Sequence, residues 1–176
     1  VKALGVLDEK QISLCTGLSV EDVNDCIEFW ETEGVVFSDG EENKEELKQV
    51  ISAAFSNAKK AIDLSGRCDD IYIALDIGPT GKLLRPLGDL DFEDAVEIFA
   101  KTVRLGVKHG ADLIMIETMS DSYETRAALL AAKENSNLPV FVSCAFGEDG
   151  KLMTGASPTA MVAMLEGMGA DAIGIN

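Results

Sequence analysis

In ADLIMIETMSDSYETRAALLAAKENSNLPVFVSCAF, residues 111–146, two apolar runs flank a segment with helical signals. The runs are DLIMIE (112–117) and LPVFVSCAF (138–146), and their mostly apolar composition is typical of strands buried on both faces. Between them, Asp121 and Glu124 have the spacing of a capping box and predict the start of a helix. This order of elements predicts two parallel strands joined by a right-handed crossover.

The alternation of strands and helices continues on both sides of this segment. Further strands are predicted at IYIAL (71–75) and DAIGIN (171–176). Neither GxGxxG nor GxxxxGK[ST] follows the first strand, which favours a barrel section over a doubly wound sheet. The predicted fold class is therefore α/β, a partial (β/α)₈ TIM barrel of about four parallel units with its chemistry at the carboxyl ends of the strands. Helices are predicted at 43–63, from Asp91 to about Gly110, from Asp121 to about Asn135, and from Ser157-Pro158 to about Glu166.

The first 40 residues have a different pattern. GLSVEDVNDCIEFWETEG (17–34) combines a turn with an amphipathic helix, and residues 1–38 resemble the winged-helix module of DnaD-like replication proteins. Residues 1–40 hold two lysines against nine acidic residues, a charge of −7, which disfavours DNA binding and favours protein contact. The predicted domains are a helical winged-helix-like segment, 1–40, and a partial barrel, 41–176.

The charge and the cysteines of the whole chain narrow its partners and location. The 176 residues carry 15 Lys and Arg against 31 Asp and Glu, a net charge of −16 that disfavours nucleic acid and anionic membranes as partners. No apolar run approaches the roughly 20 residues needed to span a bilayer. Cys15, Cys26, Cys68 and Cys144 are scattered and are not paired with His109, the only histidine. This usage favours thiols in a reducing compartment, with the cytoplasm as the predicted location.

Three segments together resemble a known family. DIGPTGKLLRPLGDL (76–90), ADLIMIETMSD (111–121) and GADAIGIN (169–176) are similar, in this order, to the homocysteine-binding barrel of the homocysteine S-methyltransferase family. The barrel type is that of cobalamin-dependent methionine synthase, and the resemblance covers about residues 45–176. It implies methyl transfer to the thiol of homocysteine to give methionine, with homocysteine as the partner.

The resemblance also implies the residues of a homocysteine site, although it assigns no catalytic residue. By this resemblance Glu117 would hold the ammonium group. It is the strongest candidate of the set, since a carboxylate at the end of an apolar strand is costly to bury without a cationic partner. Thr118 and Asp121 would shape the pocket, and Asp76 would line the same face together with the Gly78–Gly81 turn. Two simpler interpretations stay open: Asp121 is only a helix N-cap, and the glycine turn only joins a strand to a loop.

The same resemblance implies two cofactors. In the family, zinc bound by three cysteines deprotonates the homocysteine thiol. The first of these cysteines follows the Gly-x-Asn that corresponds to Gly174–Asn176, so the zinc ligands are expected to be missing from these 176 residues and no metal ligand is assigned. Cobalamin would be bound by a separate module, and the methyl donor stays open. Whether this chain alone is an enzyme is open for the same reason.

A second interpretation is that the chain is a truncated or chimeric scaffold without catalytic activity, which mediates protein contact. Its acidic helices, 1–40, would make the contact, and the half-barrel would only pack. About half a barrel exposes open strand edges, so in either interpretation these edges are expected to need pairing, self-association or a missing partner segment.

Overall fold

The computed structural model describes residues 41–66 and 71–176. The predicted winged-helix-like segment, 1–40, lies outside the described part, so the domain boundary near residue 40 stays a prediction. The chain divides into two compact units, Val1–Ile73 and Ala74–Asn176. Each unit is described by itself.

The described helix of the first unit is α1, Glu41–Ser65. It begins and ends within two residues of the helix that the sequence predicts at 43–63. Ile51 and Phe55 are buried on one side of it, whereas Ser52 and Lys59 are exposed, so the helix is amphipathic as predicted. The other predicted positions of its apolar face are all half-buried: Leu47, Val50, Ala54, Ala58 and Ile62.

The second unit alternates strands and helices along the chain. Its elements are β1 (Ala74–Ile77), α2 (Phe92–His109), β2 (Leu113–Met119), α3 (Ser122–Asn135), β3 (Val140–Cys144), α4 (Pro158–Gly167) and β4 (Ala172–Ile175). The four strands form one parallel sheet in the order β1-β2-β3-β4. Each strand lies beside its predecessor, so the order does not reverse as it does in a doubly wound sheet. The fold is a section of a (β/α)₈ barrel, which confirms the predicted class.

One face of the sheet forms the apolar core. Leu75 is in register with Ile114, Ile77 with Ile116, and Ile114 in turn with Val140. All five side chains are at most 5% exposed. Full burial of such a side chain contributes about 1.5–3 kcal/mol, so this layer is a main source of stability. Because successive side chains in a strand point to opposite faces, the residues between them point to the other face of the sheet.

The helices that cover this core lie close to the strands because small residues face them. α2 carries Gly106, where an added Cβ would lie 2.5 Å from Cδ2 of Leu75. The buried side of α3 is mostly alanine, which keeps its axis near the sheet: Ala127, Ala128, Ala131 and Ala132 have no exposed surface. None of the helices in the described ranges is long and apolar enough to cross a membrane.

The structure confirms two predicted helix starts and corrects one strand. Asp121 caps α3, and Ser157 caps α4, with Pro158 in its first turn. β1, however, begins at Ala74 and not at Ile71, because the first residue of β2 pairs with Ala74 and the preceding residues have no ladder partner. Tyr72 is accordingly 72% exposed.

Candidate functional site

The carboxyl ends of β1 and β2 bring two acidic side chains to the same face of the sheet. Asp76 is in register with Met115, two residues before Glu117. Because side chains alternate along a strand, Asp76 and Glu117 both point away from the buried layer that contains Ile77 and Ile116. The structure thus brings together two of the four site residues that the sequence predicts. Glu117 is half-buried there, as expected for a carboxylate that ends an apolar strand.

The environment of Asp76 is unfavourable for its charged form. The residue as a whole is exposed, but protein atoms crowd its carboxyl group. This desolvation, together with the negative charge of Glu117, raises the pKa of Asp76 to about 6, and a hydrogen bond to the backbone of Ile77 opposes the rise. In the described part of the chain, neither carboxylate forms an ion pair with a lysine, arginine or histidine. The pair is therefore a site where a cation would be favoured.

Thr118 follows Glu117 in a backbone conformation that is rare for its residue type. Its φ is 56°, in the left-handed region that a β-branched residue adopts only under constraint, and the register between β2 and β3 shifts at this point. The Thr118 N–H donates to Oγ of Ser143 at 3.2 Å, and Nδ2 of Asn176 donates to the Thr118 hydroxyl oxygen at 2.6 Å. These bonds from β3 and from the end of β4 hold the irregular turn, and the Thr118 side chain lies at the exposed edge of the site.

Asp121 is 4% exposed and lies at the start of α3. Its Oδ1 accepts hydrogen bonds from the Tyr123 N–H at 2.9 Å and from the Thr154 hydroxyl at 3.0 Å. The first bond is an N-cap, and the second ties the loop after β3 to the loop after β2. Asp121 therefore caps α3 and joins these two loops, and its Oδ1 is already occupied by the two donors.

The Gly78–Gly81 turn is anchored by a residue that the sequence indicated only as half of a capping box. Oε1 of Glu124, in the first turn of α3, accepts from the Thr80 N–H at 2.7 Å and from the Thr80 hydroxyl at 2.5 Å. Glu124 is 2% exposed and its Oε1 binds Thr80, and among the described residues no hydrogen bond joins it to the Asp121 N–H, so the predicted capping box is not formed. Gly81 has a φ of 75°, which glycine adopts at low cost, whereas a side chain at Gly78 would meet open space.

Three residues of this edge were missed or understated by sequence reasoning. Ser143 and Asn176 hold Thr118, and Glu124 holds Thr80. A polar Ser143 inside an otherwise apolar strand is a usable signal, whereas Asn176 stands out in the sequence only as the end of a predicted strand and of the Gly-x-Asn motif. The partner of Glu124 is 44 residues away in the chain, so no local pattern could indicate it.

The described residues do not form a metal site. Within 41–66 and 71–176, no group of three or more His, Cys, Asp or Glu side chains could hold an ion. Cys144 is buried, and burial raises the pKa of its thiol to about 11, which disfavours the thiolate that metals bind. The residues that the structure describes therefore do not fit the three-cysteine zinc site of the predicted family.

The structure is a barrel section with a pair of carboxylates at its strand ends. Comparison of the sequence with known protein families shows to which family such a barrel belongs. The sequence profile described as homocysteine S-methyltransferase matches residues 32–176. The chain belongs to the homocysteine S-methyltransferase family, which confirms the predicted resemblance.

Two methionine synthases are similar to this chain in sequence. Over 110 residues, 60% of this chain, it is 27% identical to methionine synthase of Mycobacterium leprae and 26% identical to methionine synthase of Mycobacterium tuberculosis. This chain spans only 9% of the length of either relative.

Among solved structures, the fold is similar to that of the homocysteine methyltransferase MmuM from Escherichia coli. The apo form aligns with a TM-score of 0.68 and 19% identity, covering 99% of this chain and 67% of the other. The metallated form aligns with a TM-score of 0.65 and 17% identity, covering 99% of this chain and 70% of the other. Both likenesses show the barrel fold.

Proposed function

We propose that the carboxyl ends of β1 and β2 bind the amino-acid part of homocysteine in a methyl transfer that gives methionine. Glu117 accepts hydrogen bonds from the ammonium group, and Asp76 on the neighbouring strand adds a second negative charge. The observation that carries the proposal is the pair of carboxylates on one face, with no cation paired to either within the described residues. An ammonium ion relieves the repulsion of such a pair and is held by charge-assisted hydrogen bonds.

The neighbouring residues orient the ligand instead of reacting with it. The Thr118 hydroxyl already accepts from Asn176, so it has its own proton to donate to an oxygen of the ligand. Asp121 holds the loop that carries Thr154 and thereby borders the pocket. The irregular backbone at Thr118 interrupts the register between β2 and β3 directly after Glu117, and a ligand enters beside the Glu117 carboxylate.

Activation of the thiol belongs to chemistry that these residues do not supply. The family resemblance implies zinc for that step and a separate module for cobalamin. The described side chains form no metal site that could supply it. The contribution proposed for this chain is to bind and orient the substrate.

Ligand analogues test this proposal directly. Calorimetric titration is expected to detect homocysteine and to detect no binding of 4-mercaptobutanoate, which has the same chain and thiol without the ammonium group. Homoserine is expected to bind like homocysteine in the absence of added metal, because the proposed contacts are to the amino-acid end. Equal binding of homocysteine and 4-mercaptobutanoate would contradict the proposal. Binding of none of the three would favour the non-catalytic scaffold.

A further inference from the structure

We infer that Glu124 is a positioning residue for the proposed homocysteine site, acting through Thr80 on the loop that follows Asp76. The inference rests on the proposed function and adds to it a residue that touches neither the ligand nor the reacting atoms. The inference rests on two hydrogen bonds between segments that are 44 residues apart in the chain. The buried carboxylate of Glu124 on α3 accepts both of them from Thr80, in the loop that follows β1.

The two hydrogen bonds fix the loop in both position and rotation. A single bond to Oε1 of Glu124 would allow Thr80 to pivot, but its N–H and its hydroxyl both bind that oxygen. The same hydroxyl accepts from the Lys82 N–H at 3.2 Å, so the backbone on the far side of Gly81 is also held to Thr80. The turn therefore has one defined conformation, with Thr80 as its fixed point.

The anchor also joins the two strand ends that carry the ligand's proposed partners. Thr80 lies four residues after Asp76, and Glu124 lies seven residues after Glu117. A bond between Thr80 and Glu124 thus fixes the loop after β1 against the helix after β2. The spacing of the two carboxylates depends on that connection as well as on the β1–β2 ladder, which ends at Ile77 and Ile116.

A carboxylate in this position is costly, which argues that it has a use. Glu124 is 2% exposed, and burial raises its pKa above the usual value, with the nearby charge of Asp121 adding to the rise. The two bonds from Thr80 oppose the rise without removing it. If Glu124 only stabilised the N-terminus of α3 through the helix dipole, a solvent-exposed acidic side chain would do so equally well.

The test combines amide hydrogen exchange with homocysteine titration in the full chain. Glu124→Ala is expected to speed exchange of the Thr80 and Lys82 amides at least about tenfold, because the acceptor of the Thr80 N–H is lost. Amides of β2 and β3 should keep their protection. Homocysteine affinity is expected to fall about tenfold, because the loop after Asp76 is no longer held against α3, and an indirect effect of this kind usually changes binding by about two- to thirty-fold. Glu134→Ala, on the exposed end of the same helix, is the matched control and should change neither quantity.

Conservative variants separate positioning from simple structural support. Glu124→Gln keeps an oxygen that can accept both bonds, so it should restore slow exchange and affinity. Thr80→Val removes only the hydroxyl from a loop residue, and the double variant with Glu124→Ala should lose no more affinity than Glu124→Ala alone. Unchanged exchange in Glu124→Ala, or faster exchange with unchanged affinity, would overturn the inference. A wild-type chain that binds no homocysteine overturns the proposed function and this positioning role with it, whereas Thr80 exchange reports the anchor separately.

Discussion

Replacing Glu117 by glutamine removes one charge from the strand ends and leaves the shape of the side chain almost unchanged. If Glu117 binds the ammonium group of homocysteine, the loss is that of a charge-assisted hydrogen bond, about 1.5–3 kcal/mol. This corresponds to a dissociation constant for homocysteine that is about ten- to hundred-fold larger. The remaining charge of Asp76 on the adjacent strand keeps some attraction for the ligand, so binding should weaken without disappearing.

The variant has a second expected effect that needs no ligand. The charge of Glu117 is one of the two causes that raise the pKa of Asp76 to about 6, the larger being desolvation. Glu117→Gln should therefore lower the pKa of Asp76 only part of the way towards its usual value of 3.8. Carboxyl NMR titration measures this shift, and calorimetry measures homocysteine affinity in the same preparation. Glu134→Gln, which removes an exposed charge at the far end of α3, is the matched control.

The two readouts fail in different ways. An unchanged pKa of Asp76 would mean that the two carboxylates do not face each other, and the geometry of the site would be wrong. A lowered pKa with unchanged homocysteine affinity would leave the geometry intact and remove Glu117 from the binding site. Unfolding of Glu117→Gln would make the residue structural, which its position on the open face of the sheet argues against.

Two further predictions concern pH and packing. Because the folded-state pKa of Asp76 is raised to about 6, the contribution of Asp76 to the free energy of unfolding should fall as the pH rises from about 4 through about 6. Homocysteine affinity should rise over the same range, because the carboxylate becomes charged. Chemical denaturation and calorimetry measure the two trends, and both should vanish in Asp76→Asn. Gly106→Ala should lower the free energy of unfolding by about 1–3 kcal/mol, since its Cβ would lie 2.5 Å from Cδ2 of Leu75, and the loss should be smaller in a Leu75→Ala background if that contact is its cause.

The elements of the barrel section could be predicted from sequence because buried strands and helix faces require apolar residues at regular positions. The runs around Ile114 and Val142 are apolar since the strands lie beneath helices, and the N-cap at Asp121 is a local signal. Glu117 was predictable for the same reason, as a charged residue that ends an apolar run. The error at β1 has the opposite origin: residues 71–73 have a strand-like composition, but pairing with β2 decides where the ladder begins.

The remaining features of the site depend on contacts between distant residues. Nothing in the sequence near Thr118 indicates a left-handed backbone, because its causes are bonds from Ser143 and Asn176 on the next two strands. The Glu124–Thr80 anchor likewise joins segments that are adjacent only after β1 and β2 pair. Local pattern therefore predicts which strand ends carry the candidate residues, their role in binding stays a prediction, and the bonds that hold them are not visible in it.

The strand ends are also where the chain departs from the rules that its core obeys. Thr118 adopts a φ that costs a β-branched residue about 1–2 kcal/mol, Asp76 and Glu117 repel each other, and Glu124 is a carboxylate almost without exposed surface. Each feature alone has a local explanation, but all of them fall at one edge of the sheet, above a layer of buried aliphatic side chains that offsets their cost. Conflicts between local preference and global fold concentrate at functional sites. Their coincidence at the carboxyl ends of β1 and β2 favours this edge as the candidate site on physical grounds that are independent of the family resemblance.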